Sequence, residues 1–408
     1  MKIDTMRKID YFAGIPLCFL ATLLIRSINF FAGKKLQQPR KVLFIELSEM
    51  GSAILADPAM RKMRQAGHTE LYFLIFKSNA ASLRLLNTIP EANIFTIRAD
   101  GLLNLAVDSL RFLFQARRQE IDTVIDLELF SRYSALLAGL SGAVNRIGFH
   151  AFHNEGLYRG DLLTHRVAYN PHLHIAKNFI ALVNAALADR KELPFSKTLI
   201  DDGEIKLARA EVNEDAIAAM QDRIHREYPP YDEKRHRIVL INPNASDLLP
   251  QRRWRPDYFV AVMRALLADC DEVLVLITGA PAEREEAERL KQRVGHERCV
   301  NFAGRQRLEE LPALYRIAKV MLTNDSGPGH FSAVTDLRTF VIFGPETPRL
   351  YGSLGNSTPI YAGLACSPCV SAANHRKTPC TDNVCLQVIK PEMVLEPLRA
   401  ALQENHSA

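Results

Sequence analysis

The chain has 408 residues, of which 48% are hydrophobic and 24% are charged. This composition excludes a disordered, collagen-like or short disulfide-rich protein, and the length favours roughly two or three domains. Fifty-one Lys and Arg residues against 46 Asp and Glu residues leave a net charge of +5. This charge is too small for a typical nucleic-acid-binding face, so we expect no nucleic-acid partner, but it suits anionic substrates or an anionic membrane surface.

The amino-terminal segment contains a charge-free, mostly apolar run at residues 11–25. Basic residues flank it on both sides, namely Lys2, Arg7 and Lys8 before it and Arg26, Lys34, Lys35, Arg40 and Lys41 after it. The run is shorter than the roughly 20 residues that span a bilayer, and no signal-peptide cleavage motif follows it. We expect residues 1–40 to form an uncleaved membrane-associating segment that lies on, or dips into, the cytoplasmic leaflet. A single-span anchor and a helix packed on the protein's own core are the alternatives.

Short apolar, β-rich runs alternate with helical patterns after this segment. The first set of strand candidates lies at residues 41–46, 71–76, 93–97 and 123–127, with a helix predicted at 102–115. The second set lies at residues 237–242, 272–279, 299–304, 319–325 and 339–345. Strands that alternate with helices predict βαβ units and parallel sheets.

We therefore predict an α/β protein with two Rossmann-like, doubly wound domains that face a cleft, plus an amino-terminal apolar anchor helix. The domains are expected at residues 41–190 and 237–390, joined by a charged linker region at 191–236. A carboxyl-terminal helix and tail occupy residues 391–408. Ligands of such sheets bind beyond the carboxyl ends of the strands, so the loops after the strands are the candidate sites.

The loop TNDSGPGHFS at residues 323–332 follows one of these strands and opens a helix. Glycines permit close backbone approach, and free amides at a helix start suit a diphosphate. An ordinary capped turn has the same residue types. In two other loops of this domain, Arg252 is placed to pair with phosphate oxygens and Glu283 to bind ribose hydroxyls. A solvated basic loop and a first-turn partner of a helix dipole are the respective alternatives.

Taken together, these motifs resemble glycosyltransferase family 9, the heptosyltransferases that use ADP-heptose to build the lipopolysaccharide inner core. The resemblance covers nearly all of residues 41–400. It is carried by Asn-Asp-Ser-Gly-Pro-x-His at residues 324–330, by Phe-Gly-Pro at 343–345 with Thr-Pro beyond it, and by Arg-Arg-Trp-Arg-Pro at 252–256. It implies a GT-B fold and metal-independent transfer of a sugar with inversion, with no cofactor required for catalysis.

The resemblance also implies roles for individual residues. The nucleotide-sugar loop would be formed by Asp325, Ser326, Gly327 and His330. Arg252 would face the diphosphate, where the family commonly has Lys, and Glu283 would contact the nucleoside. The implied partners are a nucleotide-sugar donor, with ADP-heptose favoured, a lipid-linked glycan acceptor and the inner-membrane surface. The implied location is the cytoplasmic face of the bacterial inner membrane.

One loop departs from the family pattern. There the first strand leads into Ser-x-x-Gly-Asp, whose Asp is taken as the general base, whereas this chain has Ser-Glu-Met-Gly-Ser at residues 48–52. A serine of ordinary pKa does not deprotonate a hydroxyl unaided, so Ser52 needs a substitute. Glu49 is the preferred base and Asp57 the second, although Glu49 is equally an ordinary loop residue. A same-fold transferase for another nucleotide sugar and a nucleotide-sugar-binding protein without catalysis therefore remain alternatives.

A cysteine cluster lies near the carboxyl terminus. Its members are Cys366, Cys369, Cys380 and Cys385. Tetrahedral zinc takes four thiolates from two such pairs, so a structural zinc is one interpretation; free thiols and disulfides are the others. His375 and Arg376 lie in the same loop and are candidates for ligand contact, a solvated loop being the alternative.

Overall fold

The computed structural model describes residues 3–32, 37–67, 70–153, 156–190, 192–246, 249–372, 374 and 376–404. The chain divides into two compact units, Met1–Lys206 (unit 1) and Leu207–Ala408 (unit 2). The boundary falls inside the region predicted as a linker.

Unit 1 is an α/β unit preceded by two helices. Its elements in chain order are α1 (Ile3–Phe12), α2 (Gly14–Ala32), β1 (Lys41–Ile45), α3 (Met50–Leu55), α4 (Asp57–Gln65), β2 (Glu70–Phe76), β3 (Ile94–Ile97), α5 (Leu102–Arg118), β4 (Thr123–Asp126), α6 (Arg132–Leu140), β5 (Asn145–His150), β6 (His165–Ala168) and α7 (Ile175–Leu187). All strand pairs are parallel, in the order β3-β2-β1-β4-β5-β6. The apolar run of β1 is buried almost throughout because helices cover both faces of a parallel sheet.

The predicted apolar helix at the amino terminus is confirmed as α2. One face of α2 packs on α6, where Cys18, Ala21 and Ile25 form a cluster with Ala135 and Leu162. The segment Gly14–Phe31 is long and apolar enough to cross a membrane by length and composition.

Unit 2 repeats the same plan. Its elements are α8 (Glu214–Glu227), β7 (Arg237–Asn242), α9 (Pro256–Asp269), β8 (Val273–Ile277), α10 (Arg284–Val294), β9 (Cys299–Asn301), α11 (Leu311–Ile317), β10 (Val320–Asn324), α12 (Gly327–Ser332), β11 (Arg338–Phe343), α13 (Pro348–Tyr351), β12 (Ser357–Tyr361), α14 (Val384–Gln387) and α15 (Pro391–Gln403). The strand order is β12-β11-β10-β7-β8-β9, again all parallel. Read from the other edge, it is the order of unit 1.

The flanking helices of unit 2 complete its core. Helix α8, inside the region predicted as a linker, packs on α11, and α15 packs on α9. The single tryptophan, Trp254, is fully buried in the core that α9 and α15 form with the sheet. Its indole Nε1 donates to the carbonyl of Ile389 and its backbone amide donates to Asn324 Oδ1. Trp254 thus fastens the loop after β7 to the end of β10.

Candidate active site

Each sheet has one crevice at which the strand order reverses. In unit 1 it lies beyond the carboxyl ends of β1 and β4, and in unit 2 beyond those of β7 and β10. Chains leave such a pair of strands in opposite directions, which opens the space in which doubly wound proteins bind ligands. The loops singled out from the sequence, at residues 48–52, 242–254 and 323–332, all leave one of these four strands.

In unit 1 the two loops at the crevice are joined by one carboxylate. Glu128 follows β4, and its Oε1 accepts hydrogen bonds from the amide of Leu47 at 2.9 Å and from the amide and hydroxyl of Ser48, both at 3.1 Å. Burial raises the pKa of Glu128, while the three donors act in the opposite direction. The loop after β1 therefore takes its conformation from Glu128.

The predicted base region lies at the start of α3. Glu49 is the residue before α3 and is half-buried; its Oε2 accepts a hydrogen bond from Ser52 Oγ at 3.1 Å. Ser52 lies in the first turn and is buried. The second candidate base, Asp57, is completely buried at the start of α4, where it pairs with Arg61 Nε at 2.9 Å and accepts from the Thr88 hydroxyl. These contacts give Asp57 a structural role, and the sequence-based interpretation of Asp57 as a second candidate base stays a prediction without support from its surroundings.

In unit 2 the crevice contains a buried charge cluster. Arg252 Nη1 lies 3.7 Å from Asp325 Oδ2 and 3.6 Å from Glu346 Oε2, and Glu346 follows the neighbouring strand β11. Asp325 and Glu346 are 3% and 2% exposed. Arg252 Nε and Asp325 Oδ2 are buried without a hydrogen-bond partner among the described residues. Unsatisfied buried donors and acceptors of this kind are typical of a site that is completed by a ligand.

Arg376 adds a second guanidinium to this cluster. Its Nε lies 3.2 Å from Glu346 Oε1, and its guanidinium stacks over the Tyr351 ring at 5.2 Å from the centroid. The sequence-based suggestion that Arg376 faces a ligand is therefore consistent with its position beside Arg252 and Glu346. His375, named with it, lies outside the described residues.

The two carboxyl groups of this charge cluster interact directly. Burial raises the pKa of Asp325, and burial together with the neighbouring Asp325 raises the pKa of Glu346 to about 8; Arg252 lowers both. Because the pKa of Glu346 lies at about 8, this carboxyl group is mostly protonated at neutral pH. With two guanidiniums and at most one negative charge, that of Asp325, the cluster has a net positive charge, which suits an anionic ligand such as a diphosphate.

The remaining residues of the predicted nucleotide-sugar loop lie where β10 leads into α12. Ser326 precedes α12 and its hydroxyl donates to the Asn324 carbonyl at 3.2 Å, while Gly327 begins the helix and His330 is buried in it. Helix α12 has only six residues, so its dipole contributes little. We therefore assign most of the attraction for an anion in this crevice to Arg252 and Arg376.

Glu283 has a local structural contact. Its Oε2 accepts a hydrogen bond from the Ala280 amide at 2.6 Å and thereby caps the turn before α10. A β-carbon at Gly279, two residues beyond β8, would lie 2.8 Å from both Asn244 Nδ2 and Glu283 Oε2, so a larger residue there would displace the ends of these side chains. The hydrogen bond from Ala280 supports the interpretation of Glu283 as a residue of the first helical turn with a local structural role. The role of Glu283 at a nucleoside stays a prediction.

Unit 1 also contains a cavity of about 240 Å³. It lies beyond β5 and is lined in part by His150, Phe152, Tyr158 and Arg159. Arg159 is buried 3.6 Å from the buried Asp126. This cavity is on the acceptor side predicted from the sequence and has a cation in its wall.

The four clustered cysteines are free thiols, exposed at Cys366, half-buried at Cys369 and Cys380, and buried at Cys385. No group of three or more His, Cys, Asp or Glu side chains among the described residues is arranged to hold a metal. Structural zinc at these cysteines stays a prediction without support from their arrangement.

Sequence reasoning missed two residues of the crevices, Glu128 and Glu346. Each lies two or three residues beyond the end of an observed strand, β4 or β11, in DLE at 126–128 and GPE at 344–346. An acidic residue just beyond a buried strand was the available signal, because parallel strands bring their carboxyl ends to the same edge of the sheet.

Comparison with known proteins agrees with this fold. The family model of glycosyltransferase family 9 (heptosyltransferase) matches residues 110–378. Lipooligosaccharide heptosyltransferase 2 of Campylobacter jejuni serotype O:2 is 30% identical over 175 residues, which are 42% of this chain and 52% of that relative; the match thus spans about half of the relative's length. Lipopolysaccharide heptosyltransferase 1 of Escherichia coli K12 is 23% identical over 78% of this chain and 92% of its own.

Among solved structures, ADP-heptose lipopolysaccharide heptosyltransferase II of E. coli aligns with a TM-score of 0.66 at 18% identity, covering 89% of this chain and 98% of that one. This likeness confirms the predicted GT-B fold with its two Rossmann-like halves. Because the family model covers more than half of the residues, the chain belongs to glycosyltransferase family 9.

Proposed function

We propose that this protein is an inverting glycosyltransferase that moves a sugar from a nucleotide diphosphate to a lipopolysaccharide core or related envelope glycan. The observation that carries the proposal is the net positive charge cluster of Arg252, Arg376, Asp325 and Glu346 in the crevice of unit 2. Such a cluster suits the diphosphate of a nucleotide sugar, and membership of glycosyltransferase family 9 supports the same chemistry.

We propose ADP-heptose as the donor. The support is the similarity to proteins described as heptosyltransferases, one of them as an ADP-heptose enzyme. In this assignment Arg252 faces the diphosphate, residues 325–330 hold the sugar and the phosphates, and Glu283 lies near the nucleoside.

The proposed reaction is a single displacement at the anomeric carbon. An acceptor hydroxyl attacks that carbon while Glu49 takes its proton, and the bond from the same carbon to the diphosphate oxygen breaks. The electron pair of the broken bond leaves with the nucleoside diphosphate, whose growing negative charge Arg252 and Arg376 stabilise. The carbon is attacked from the side opposite the leaving group, so the sugar configuration inverts.

In this mechanism Glu128 is a positioning residue. It binds the backbone of the loop that carries Glu49 and Ser52 through Leu47 and Ser48. Ser52 is the hydrogen-bond donor to Glu49 and orients its carboxylate. A base held within hydrogen-bonding reach of the reacting hydroxyl contributes about 10²–10⁴ in rate.

Two alternatives are kept because Ser52 stands where the family has its general base. A transferase of the same fold would take another nucleotide sugar. A protein that had lost catalysis would bind a donor without transferring the sugar. In either case we place the protein at the cytoplasmic face of the bacterial inner membrane, where a lipid-linked acceptor is within its reach.

The experiment that tests this function is a thermal-shift panel of ADP-heptose beside UDP-, GDP- and other ADP-sugars, followed by a transfer assay with the donor that binds. A ligand that binds only the folded state stabilises it by about 2.7 kcal/mol at a hundredfold excess over Kd. We expect selective stabilisation by ADP-heptose that Arg252→Ala reduces. A preference for another donor would replace the substrate, binding without turnover would support the loss of catalysis, and no binding at all would refute the proposal.

A further inference from the structure

Helices α2, α5 and α6 lie on one face of the sheet of unit 1. The crossovers β3–α5–β4 and β4–α6–β5 move in the same direction across the sheet, and right-handed crossovers then place both helices on the same face. Phe112 of α5 and Leu137 of α6 accordingly pack in one cluster with Leu43 and Val124 of the sheet. Helix α2 packs on α6, and Ser109 of α5 contacts Tyr133 of α6 at 2.6 Å.

The outer face of α5 is apolar and exposed. Its large side chains are Leu102, Leu103, Val107, Leu110 and Phe114, which are exposed by 56%, 77%, 49%, 69% and 68%. The spacing 103, 107, 110 and 114 places four of them on one stripe of the helix. Contiguous exposed apolar surface of this kind marks an interaction site rather than an ordinary solvated face.

Helix α2, which packs on α6 as α5 does, presents a second apolar face. Its large exposed side chains are Leu17, Phe19, Leu20, Leu23, Leu24, Ile28, Phe30 and Phe31. The opposite side of α2 is held on unit 1 over its first three turns. Thr22 Oγ1 accepts from the Asp161 amide at 2.8 Å, and Arg26 pairs with the Asp161 carboxylate at 2.8 Å.

The charges on these helices fit an anionic partner. The exposed charged residues of α5 are Arg111, Arg117 and Arg118, while its acid, Asp108, is buried and paired with Arg98. Along α2 the charged residue is Arg26. Apolar side chains beside arginines, with the acid withdrawn into the unit, are the composition of a helix that lies in the headgroup region of an anionic bilayer.

We propose that the outer faces of α2 and α5 together form one docking face for an anionic lipid bilayer, and that α2 lies in the plane of the membrane instead of spanning it. A spanning α2 would take Asp161 and the body of unit 1 that it contacts into hydrocarbon, where unsatisfied polar groups are costly. An in-plane α2 keeps these contacts and inserts only its opposite face. The inference does not depend on the donor or on turnover.

The test uses the full chain and vesicles of phosphatidylethanolamine with phosphatidylglycerol, compared with pure phosphatidylcholine, in a sedimentation assay. We expect Leu103→Ser/Leu110→Ser/Phe114→Ser to weaken partitioning by at least about tenfold. Arg111→Gln/Arg118→Gln should weaken partitioning by about fivefold for each arginine, and only on the anionic vesicles. The matched control is Leu193→Ser/Leu199→Ser/Met393→Ser, which removes three apolar side chains that are 64%, 100% and 52% exposed at other places and should bind like the wild type.

Melting curves show whether a variant is still folded, and donor-induced thermal shifts show whether the crevice of unit 2 still binds its ligand. Together they separate a loss of docking from a loss of folding or of donor binding. Extraction of wild-type membranes with alkaline carbonate decides the orientation of α2, because an in-plane helix is released and a spanning helix stays. Three outcomes overturn the proposal. The first is that the triple α5 variant binds vesicles as well as the control variant does. The second is that the wild-type protein resists carbonate extraction. The third is that light scattering shows the wild type to be a dimer without affinity for vesicles, which the triple variant splits into monomers.

Discussion

Glu128 and Ser48 connect the loops of the unit 1 crevice, since one oxygen of the Glu128 carboxylate accepts from both the amide and the hydroxyl of Ser48. No hydrogen bond to the other oxygen, Oε2, is found among the described residues. The carboxylate thus uses one oxygen to hold the loop after β1 and leaves the second one available.

Replacing Glu128 separates loop positioning from proton transfer. In Glu128→Gln the amide oxygen still accepts from Leu47 and Ser48, so we expect kcat within about tenfold of the wild type. Glu128→Ala loses all three hydrogen bonds, and kcat should fall by about 10²-fold or more as the loop moves. Rescue by Gln identifies a positioning residue. If Glu128→Gln binds donor normally but loses 10³-fold or more in kcat, the base is Glu128 and not Glu49.

Replacing Glu49 tests the proposed base directly. Glu49→Gln keeps the size of the side chain and removes its capacity to take a proton, so single-turnover transfer should slow by about 10²–10⁴-fold. Donor affinity should change little, because Glu49→Gln leaves the unit 2 residues assigned to the donor unaltered. Ser52→Ala removes only the hydroxyl that donates to Glu49 and should cost about tenfold or less. An unchanged rate in Glu49→Gln would contradict the assignment.

Replacing Arg252 tests the diphosphate contact. Charge-assisted hydrogen bonds contribute about 1.5–3 kcal/mol, so Arg252→Ala should weaken ADP binding by roughly 10- to 100-fold in calorimetry. Arg252→Lys keeps the positive charge and should recover most of the affinity. The matched control is Arg255→Ala, because the half-exposed Arg255 side chain pairs with Asp257 and stacks over Tyr258, away from the charge cluster. Equal losses in Arg252→Ala and Arg255→Ala would refute a specific role.

The pKa of Glu346 predicts a pH dependence of stability. Because its pKa rises from 4.5 unfolded to about 8 folded, the folded state binds more protons between these values. The stabilisation it provides is present at low pH and is lost as the pH rises through about 8. Trp254 fluorescence, which reports on unit 2, should show a melting temperature that falls between pH 6 and 9; a loss of about 2 kcal/mol corresponds to about 4–8 °C.

In Glu346→Gln this decrease should be much smaller, because the substituted group does not titrate. The exposed Glu396→Gln is the control and should behave like the wild type. A pH profile that is the same in Glu346→Gln and in the wild type would show that the Asp325–Glu346 pair does not bind the proton.

The reactivity of the four clustered cysteines distinguishes free thiols from a structural zinc site. Burial raises the pKa of Cys385, and Cys366 is exposed, so free thiols should react with a thiol reagent in the order Cys366 first and Cys385 last. Structural zinc would instead protect all four until a chelator is added, with about one metal per chain by elemental analysis. Cys270→Ser, outside the cluster, is the control.

The sequence was sufficient to predict the parallel sheets where strands are uniformly apolar, as in β1, β7 and β8. It did not predict β5, β6 and β12, because Arg146 and His165 interrupt the apolar pattern of β5 and β6, and the edge strand β12 is only half-buried. Their places are determined by pairing with neighbouring strands, which a local pattern does not contain.

The residues of the unit 2 crevice were predictable only in part. Arg252 and Asp325 lie in loops with recognisable motifs, and they are close to each other as expected from two strands that are neighbours. Glu346 was not predicted, because its importance depends on a contact with Arg252 across 94 positions of the chain. The complete burial of Asp57 was not predicted, because burial of a polar side chain is not visible in the sequence.

The identical strand order of the two units has a consequence for how such a protein diversifies. The contacts described for each crevice join residues of the same unit. They are the hydrogen bond between Glu128 and Ser48 in unit 1 and the ion pair of Arg252 and Asp325 in unit 2. Under the proposed function, substitutions in the loops after β7, β8, β10 and β11 change which sugar is delivered. Substitutions in unit 1, which is assigned to the acceptor, accumulate independently of them. Evolution and engineering can therefore act on one half at a time.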